Sequence, residues 1–599
     1  MERERVRRRI LKILDLAPDL KDIILSEAPL EEKRMGIKDV LNTLLIRSYD
    51  EDRPIPAMEW ILARDSIRAL RTILSPRSEA LAGFSFLAYI NQLVHGNGPE
   101  GLKRPGPGFY AELEALLKGI TGKAGIYNEK EPAFLKYRGR KAAKMRSADL
   151  SRMGKKADRF MSRYLCGLDQ EVIKRRDENK TRILGYFGAS EAEWEDWRWQ
   201  VKNVIRDAKT LNALVKLSSE DREAVELARK SRIPFGITPY YVSLMDYDPG
   251  RERDKAVRAQ VIPSLHYVEK LVKFREKGEY TMDFMLERDT SPIDGVTRRY
   301  PMIVILKPVL TCPQICVYCQ RNWEIEEVDS SQALLVRNKL EKVLRWLEER
   351  PEINEVLITG GDPFLLPDSR IQDLLSRLSG MRHLERIRIG TRTLVTLPQR
   401  ITDPLVRAIN HFHVPGKREV VLVTHVEHPY EITPQMMEAV QKFRRHGIEV
   451  CNQMVYTFFN SRKFEAAALR HKLRLAGVTP YYTFNTKGKE ETDEYRVPIA
   501  RLLQEQNEEA RLLPGMVRTD EIVFNVPRLG KNYLRAAQHR DVISILPDGR
   551  RVYEFHPWEK KLSLVDTYVY TDVSIYGYLK RLKAIGEDIN EYKTIWYYY

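Results

Sequence analysis

Three cysteines near the middle of the chain have a spacing that suits an iron–sulfur cluster. Cys312, Cys316 and Cys319 follow the pattern C-x3-C-x2-C and are three of the five cysteines in 599 residues. A [4Fe-4S] cluster usually takes four thiolates, so three thiolates leave one iron open to a small molecule. S-adenosylmethionine (SAM) needs such an iron, because its amine and carboxylate chelate it before an electron from the cluster cleaves a carbon–sulfur bond. The spacing therefore predicts a cluster that generates a 5′-deoxyadenosyl radical.

Two other interpretations of these cysteines remain open from the residues alone. Three thiolates could hold zinc together with a histidine, although no histidine lies within the loop. Free cysteines can also pack as small apolar side chains. The cluster is favoured because the apolar run 303–306 predicts a strand directly before the loop, where functional loops of α/β proteins lie.

A second motif follows the next predicted strand. Gly360, Gly361 and Asp362 come directly after the apolar run 356–358. Glycines at such a position let the backbone approach a ligand closely. Alone the motif indicates a turn, but after a cysteine loop it resembles the radical SAM motif that holds the amino group of SAM.

Apolar runs that alternate with helical stretches must position these motifs. The six runs are residues 303–306, 356–358, 387–389, 420–423, 450–456 and 481–484. Such alternation predicts parallel βαβ units with helices on the sheet. Six units are too few for a closed eight-stranded barrel, so we expect an α/β fold with a partial (βα)6 barrel and an active site at the carboxyl ends of its strands.

The rest of the chain divides into helical and mixed segments. We expect a helical N-terminal extension of unknown function at 1–185, a second helical segment at 186–298, the partial barrel at 299–490 and a C-terminal segment at 491–599. No stretch reaches the ~20 apolar residues that span a bilayer, and no signal peptide is evident. Five cysteines are too few for a secreted disulfide scaffold. The expected location is the cytoplasm, without membrane partners.

The net charge of +16 raises the question of nucleic acid binding. A basic run at 136–159 carries ten Lys or Arg residues. Aromatic residues do not interleave this run as a single-strand platform requires. A solvated helical face is therefore favoured over a nucleic acid site.

Beyond these motifs, the chain resembles the lysine 2,3-aminomutase family of radical SAM enzymes. The resemblance covers about residues 189–564. Besides the cysteine loop, the matching motifs are Trp197-Arg-Trp-Gln200, Ile237-Thr-Pro-Tyr-Tyr241, Arg299-Tyr300-Pro301, Thr359-Gly-Gly-Asp362, Ile389-Gly-Thr-Arg392, Leu397-Pro-Gln-Arg-Ile-Thr402, Thr424-His425, His428-Pro429 and Asn452-Gln453. The family uses SAM, a [4Fe-4S] cluster and pyridoxal phosphate (PLP) to move an amino group from the α to the β carbon of an amino acid.

The resemblance implies a role for particular residues. Lys531 matches the catalytic lysine that binds PLP, although only Gly530 remains of the four glycines that usually precede it. Arg321 matches the residue that binds the α-carboxylate of the substrate, a task that suits its planar guanidinium. The remaining matches are Arg299 and Tyr300 near PLP, and Gly360, Gly361, Asp362, His425 and Gln453 around SAM.

The substrate pocket differs from that of the lysine enzymes. They hold the distal ammonium of lysine with two aspartates, whereas the matching positions here are Lys487 and Asn525. This pair resembles the glutamate 2,3-aminomutase branch and implies L-glutamate as the substrate. Activity on free or protein-bound lysine, or other radical SAM chemistry on the same fold, remains open.

The resemblance also implies partners. We expect a low-potential electron donor of the flavodoxin or ferredoxin type and a homo-oligomer. The zinc-binding cysteines of the family have no counterpart after Cys451, so we expect no zinc.

Overall fold

The computed structural model describes residues 2–49, 57–96, 103–127, 132–251, 253–277, 283–327, 333–486, 489–556 and 567–599. The candidate substrate residue Lys487 lies outside them. The chain forms two compact units. Unit 1 comprises Met1–Lys156, Val497–Glu509 and Asn532–Tyr599, and unit 2 comprises Ala157–Arg496 and Ala510–Lys531.

The described α-helices follow in chain order. They are α1 (Glu2–Leu14), α2 (Pro18–Leu25), α3 (Leu30–Arg47), α4 (Ala57–Ile73), α5 (Pro76–Ala82), α6 (Phe86–His95), α7 (Pro107–Ile120), α8 (Gly139–Met161), α9 (Gln170–Phe187), α10 (Glu191–Glu195), α11 (Trp197–Lys202), α12 (Ala208–Leu214), α13 (Ser219–Lys230), α14 (Pro239–Ser243), α15 (Lys255–Arg258), α16 (Leu265–Lys277), α17 (Arg337–Glu348), α18 (Asp368–Gly380), α19 (Thr393–Thr396), α20 (Asp403–Asn410), α21 (Pro434–Arg444), α22 (Glu465–Ala476), α23 (Ile499–Gln504) and α24 (Ile575–Ala584). No helix in the described ranges is long and apolar enough to cross a membrane.

The strands form two sheets. They are β1 (Val296–Thr297), β2 (Ile303–Val309), β3 (Glu355–Gly360), β4 (Arg386–Gly390), β5 (Glu419–Thr424), β6 (Glu449–Tyr456), β7 (Thr479–Asn485), β8 (Glu521–Val526), β9 (Gly530–Tyr533), β10 (Arg540–Ile545), β11 (Arg551–Phe555) and β12 (Tyr568–Thr571). Strands β1 to β9 lie side by side in chain order, and β10 to β12 form a separate antiparallel sheet.

The larger sheet is the partial barrel of unit 2. Strands β2 to β7 pair in parallel, each with the next along the chain, and they coincide with the six predicted runs. Amphipathic helices α17, α18, α20, α21 and α22 lie between them in sequence and bury their apolar stripes. Nearly every residue of β5 is buried, as expected of a strand covered on both faces. The predicted fold is confirmed, and β8 adds a parallel strand that the sequence pattern had not indicated.

Unit 1 contains the N-terminal helices, together with β10 to β12 and α24 from the end of the chain. Helices α4 and α7 pack together because buried side chains such as Ile67, Leu70, Leu113 and Leu116 recur at helical spacing. The basic run at 136–159 lies largely on α8, where Ala157 is the buried side chain and the rest is at least partly exposed. This exposure is that of a solvated helix.

A buried ion pair anchors the C-terminus within unit 1. The Arg551 guanidinium donates to both Glu112 carboxylate oxygens at 2.9–3.1 Å, and both side chains are 2% exposed. Arg551 also donates to the carbonyl oxygens of Trp596 and Tyr598. Arg551 therefore ties the terminal segment to α7, and Arg540 also donates to the Tyr599 carbonyl oxygen at 3.1 Å.

Replacement of Glu112 by glutamine is expected to lower the free energy of unfolding by about 3–5 kcal/mol, because it leaves a buried arginine without its counter-charge. Urea unfolding followed by circular dichroism measures the change. Glu114→Gln on the same helix is the matched control, since its pair with Lys118 is exposed and is worth well under about 1 kcal/mol. Equal urea midpoints for Glu112→Gln and Glu114→Gln would contradict the stabilising role of the Glu112–Arg551 ion pair.

A buried carboxylate in unit 2 predicts an acid-sensitive step. Glu465 accepts from Arg462 at 2.6 Å and lies 3.2 Å from His428 Nε2. Burial by itself raises the pKa of Glu465, but the charge of Arg462 and the hydrogen bond from His428 outweigh it and lower the pKa to about 2. The stabilisation is thus complete above the unfolded-state pKa near 4.5 and is lost as the pH falls through about 2.

We expect Glu465→Gln to remove this pH dependence from the metal-free protein. Between those two pKa values, one carboxylate contributes a slope of up to about 1.4 kcal/mol per pH unit to the free energy of unfolding. Urea unfolding of both proteins between acid and neutral pH measures the slope. If the free energy of unfolding of the variant fell with acid pH as steeply as that of the wild type, Glu465 would not titrate as described.

Candidate active site

One cavity of about 300 Å³ lies at the carboxyl ends of the barrel strands. Its lining brings together every described residue that the sequence singled out: Cys312, Cys316, Cys319, Gly360, Gly361, Asp362, His425, Gln453, Arg299, Tyr300, Arg321, Asn525 and Lys531. These residues span more than two hundred positions of sequence. The parallel strands therefore carry the separate motifs to a single site, while their chemical roles stay predictions.

The cysteine loop begins just after β2 and supplies three free thiols to the cavity. Burial raises the pKa of Cys312 and of Cys316, so these thiols need a bound metal to hold them as thiolates. Within the described ranges, no three His, Cys, Asp or Glu side chains are grouped to hold a single ion. A four-iron cluster has a different requirement, because each thiolate binds a different iron and the ligands surround a larger volume. The three thiols around one cavity fit that requirement.

Gly360 and Gly361 allow the backbone to pass close to the cysteine loop. A Cβ on Gly361 would lie 2.2 Å from the Thr311 carbonyl oxygen, and Gly360 has a φ of +109°. The backbone amide of Gly361 donates to Val309, and that of Asp362 donates to Thr311. The glycines therefore let the end of β3 lie against the loop that carries Cys312. This close packing of backbone explains the two glycines without any contact to a ligand.

Asp362 joins β3 to the loop after β4. Its carboxylate accepts from the Thr391 hydroxyl at 2.7 Å and from the backbone amides of Arg392 and Thr393 at 2.8 and 3.1 Å. Burial raises the pKa of Asp362, and these donors oppose that rise. The side chain is thus fixed in place at the cavity wall.

Arg392 is a cavity residue to which the sequence assigned no role. Its Nη1 donates to Cys316 Sγ at 2.7 Å, and its Nη2 contacts Glu431 at 2.8 Å. Its Nε donates to the carbonyl oxygen of His425 at 3.2 Å. One buried guanidinium therefore connects the cysteine loop to the loop after β5.

His425 is a neutral side chain at physiological pH. Burial lowers its pKa to about 4, and the positive charge of Arg392 acts in the same direction. A neutral, partly buried imidazole next to Gln453 suits contact with an uncharged ring or an amide. The predicted contact of both residues with SAM agrees with this environment.

Lys531 lies on β9, opposite two aromatic rings. Its ammonium nitrogen is 5.0 Å from the centre of the Tyr300 ring and 4.9 Å from that of Tyr482. The Tyr300 hydroxyl accepts from the Lys531 backbone amide at 2.9 Å. The positive φ of Gly530, +100°, turns the chain so that Lys531 reaches the cavity. Tyr482 was not identified from the sequence, since a tyrosine within a strand has many other uses.

Glu287 is the main residue that sequence reasoning missed. This fully buried carboxylate accepts from Gln320 at 2.6 Å and from Arg321 Nε at 3.2 Å. Arg299 Nη2 lies 3.2 Å away, and Lys307 lies 3.9 Å away. Glu287 thus orients the candidate PLP residue Arg299 and the candidate substrate residue Arg321 towards the same cavity.

Arg299 retains hydrogen-bonding capacity. Burial lowers its pKa, and its Nε makes no hydrogen bond to a described residue, whereas its Nη2 lies 3.2 Å from Glu287 in an ion pair. A largely buried guanidinium with an unsatisfied donor suits an anion such as a phosphate. This observation agrees with a PLP site at Arg299 and Lys531.

Replacement of Glu287 by glutamine is expected to weaken both substrate and PLP binding by roughly 10- to 100-fold, the value of a hydrogen bond to a charged group. The Michaelis constant and the dissociation constant of PLP measure the two effects, and kcat should change less. Glu352→Gln is the matched control. Glu352 is half-exposed and pairs with Arg298, the residue just before Arg299. An unchanged Michaelis constant and an unchanged PLP dissociation constant in Glu287→Gln would contradict the proposed orienting role of Glu287.

The two predicted substrate residues differ in what the structure shows. Asn525 lies on β8 and lines the cavity. Close to Lys487 in sequence, Lys489 is buried, donates to Asn322 and to the Cys319 carbonyl oxygen, and pairs with Glu491 at 2.9 Å. Lys489 therefore connects the loop after β7 to the cysteine loop.

Comparisons with known proteins agree with this geometry. Residues 306–470 match the family model of the radical SAM superfamily. An uncharacterized KamA family protein of Methanocaldococcus jannaschii is 46% identical over 557 residues, which cover 90% of this chain and 89% of that protein.

Two enzymes of known activity are more distant relatives. Glutamate 2,3-aminomutase of Clostridioides difficile is 32% identical over 55% of this chain and 73% of the enzyme. L-lysine 2,3-aminomutase of Clostridium subterminale is 33% identical over 52% of this chain and 71% of the enzyme. These nearly equal identities do not select a substrate. The chain is a member of the KamA family of radical SAM proteins.

Proposed function

We propose that the protein is a PLP-dependent 2,3-aminomutase that moves an amino group from the α to the β carbon of L-glutamate. The observation that carries the proposal is the single cavity lined by Cys312, Cys316, Cys319, Arg321 and Lys531. Radical generation, amine capture and carboxylate binding require these residue types within reach of one small molecule.

The charge of the cavity supports an acidic substrate. Its described basic residues are Arg299, Arg321, Arg388, Arg392, Lys489 and Lys531, whereas Asp362 is the one carboxylate among the described lining residues. Asp362 already accepts three hydrogen bonds from the loop after β4. Carboxylates behind the lining pair with most of these cations, as Glu287 does with Arg299 and Arg321. Among the described lining residues, a γ-carboxylate would still meet many N–H donors, whereas the distal ammonium of lysine would meet one carboxylate that is already hydrogen-bonded.

Each substrate group has a proposed partner in the chain. Arg321 contacts Glu287 and Glu324 through Nε at 3.2 and 3.4 Å, which fixes its guanidinium at the cavity wall. Its outer nitrogens would bind the α-carboxylate as a planar fork. Asn525, together with Lys487, would bind the γ-carboxylate.

The residues would also hold the groups that supply the chemistry. The three thiolates would hold the cluster, and His425 and Gln453 would contact SAM. Lys531 and Arg299 would hold PLP. When bound, the cluster with SAM would supply a carbon radical, and PLP would stabilise unpaired spin while nitrogen moves. The barrel excludes water, and fixed side chains such as Arg321 keep the substrate carbon in one position.

Anaerobic incubation with SAM, PLP, a reductant and separate amino acids tests the proposal. Chromatography of the products is expected to show β-glutamate from L-glutamate and little β-lysine from L-lysine. Formation of β-lysine but not β-glutamate would show that the substrate is lysine rather than an acidic amino acid. SAM cleavage without any β-amino acid would indicate other radical chemistry, including the modification of protein-bound lysine.

We also propose a homo-oligomer in the cytoplasm and a low-potential electron donor as partner. The donor is required because the cluster must be reduced by one electron before it can cleave SAM.

A further inference from the structure

The cysteine loop has a second face, directed away from the substrate cavity. A small cavity of about 50 Å³ lies on this face, and its lining includes all three cysteines together with Tyr267, Leu271 and Arg275. Arg275 is exposed to solvent. One layer of side chains therefore separates the three thiols from the surface on this side.

Two helices form that layer. Helices α13 and α16 pack together through Ala224, Ala228, Val268 and Leu271. Val317, which lies within the cysteine loop, belongs to the same buried cluster. The backbone amide of Val317 also donates at 2.8 Å to the carbonyl oxygen of Gln260, which lies between α15 and α16.

The ends of the two helices present a basic patch beside the small cavity. Arg275 Nη1 donates to the carbonyl oxygens of Ser231 and Arg232 at 2.7 and 3.2 Å, which brings the end of α16 to the end of α13. The patch consists of six exposed residues: Arg229, Lys230, Arg232, Lys273, Arg275 and Lys277. Glu276 lies among them in sequence, and the exposed Glu226 and Glu269 lie one helical turn before Lys230 and Lys273.

The charges of the patch are largely uncompensated. Asp207 lies 4.0 Å from Arg229, at the limit of an ion pair, and the other five basic residues have no carboxylate at ion-pair distance among the described residues. Cations in the last turn of a helix complement its dipole. Arg232 lies beyond α13, however, and the six exposed cations outnumber Glu226, Glu269 and Glu276, the described exposed glutamates within one helical turn of them. A patch of this kind attracts an acidic protein surface and accelerates its approach.

We propose that this patch is the docking site of an acidic, low-potential electron-transfer protein, which passes one electron to the cluster through the outer face of the cysteine loop. The donor is oxidised by one electron and the cluster is reduced by one electron, without a change in covalent bonds. The substrate cavity can then stay closed during reduction. The inference rests on the proposed cluster but not on the amino shift.

Charge reversal tests the proposal with an acidic flavodoxin as the probe. The variant Lys230→Glu/Lys273→Glu/Lys277→Glu changes three exposed side chains, and Arg140→Glu/Lys144→Glu/Lys155→Glu on α8 makes the same change in net charge elsewhere. Stopped-flow absorbance follows reduction of the iron–sulfur centre by flavodoxin hydroquinone or by dithionite. Titration with oxidised flavodoxin measures complex formation independently.

The patch variant is expected to lose at least about tenfold in the rate of reduction by flavodoxin and in affinity, with a weaker dependence on salt. Reduction by dithionite and the thermal midpoint should stay at the wild-type values, and the α8 variant should behave as wild type. Equal losses in both variants, or a loss confined to the α8 variant, would overturn the proposal. If dithionite reduces no iron–sulfur centre in the wild-type protein, the cluster itself is absent and the inference fails with it.

Discussion

Replacement of any one of Cys312, Cys316 and Cys319 by serine is expected to abolish reductive cleavage of SAM. Each thiolate would hold a different iron, so loss of one ligand exposes a second iron and destabilises the cluster. Iron and sulfide content after anaerobic reconstitution, the electron paramagnetic resonance signal of the reduced protein and the yield of 5′-deoxyadenosine measure the effect.

Cys451→Ala is the matched control for these variants. Cys451 is also a free, buried cysteine, but it lies on β6 and is not part of the cavity lining. Its variant should keep the iron content and SAM cleavage of the wild type. Full iron content and full cleavage in a serine variant of the cysteine loop would contradict the assignment of that ligand.

Lys531→Ala is expected to remove the visible absorbance of bound PLP and to lower the rate of amino transfer by at least about 1,000-fold. The physical reason is the loss of the amine, which lies about 5 Å from the Tyr300 and Tyr482 rings and would hold the cofactor covalently. Absorbance of the purified protein and product formation from L-glutamate measure the two effects.

The cluster should remain intact in this variant, because Lys531 lies on β9 and the thiols lie after β2. Iron content and reduction by dithionite should therefore match the wild type. Lys417→Ala, at an exposed loop lysine, is the control for the loss of one positive charge. Unchanged PLP absorbance in Lys531→Ala would show that another group holds the cofactor.

Local patterns were sufficient to predict the barrel and the cysteine loop. Strands β2 to β7 are continuous apolar runs because helices cover the sheet, and such runs are visible in the sequence. The cysteine spacing is also local, since the three predicted ligands of one cluster lie within eight positions. Parallel pairing in chain order then follows from the alternation of strands and helices.

Contacts between distant positions could not be predicted in the same way. Glu287 contacts Arg321, 34 positions away, and neither residue lies in a pattern that pairs them. The ion pair of Glu112 with Arg551 joins positions 439 apart. A buried carboxylate has no sequence signature, because glutamate is mostly an exposed residue.

The structural reason for the Gly360–Gly361 pair could not be predicted from the sequence either. The sequence indicates that backbone must approach something closely, but not whether the neighbour is a ligand or protein. The structure identifies the backbone of Thr311 as a close neighbour. Strand β8 was missed because its run of six residues follows a long connection and was assigned to the C-terminal segment.

Transfer of deuterium from L-glutamate labelled at the β carbon into 5′-deoxyadenosine tests the account most directly. That label can move only if thiolate-bound iron, SAM and the acidic substrate share one cavity. Anaerobic protein with PLP and a reductant should give labelled 5′-deoxyadenosine from glutamate, detected by mass spectrometry, and unlabelled product from β-labelled lysine. Label from lysine but not from glutamate would contradict the acidic pocket, and unlabelled 5′-deoxyadenosine from both would contradict the shared site.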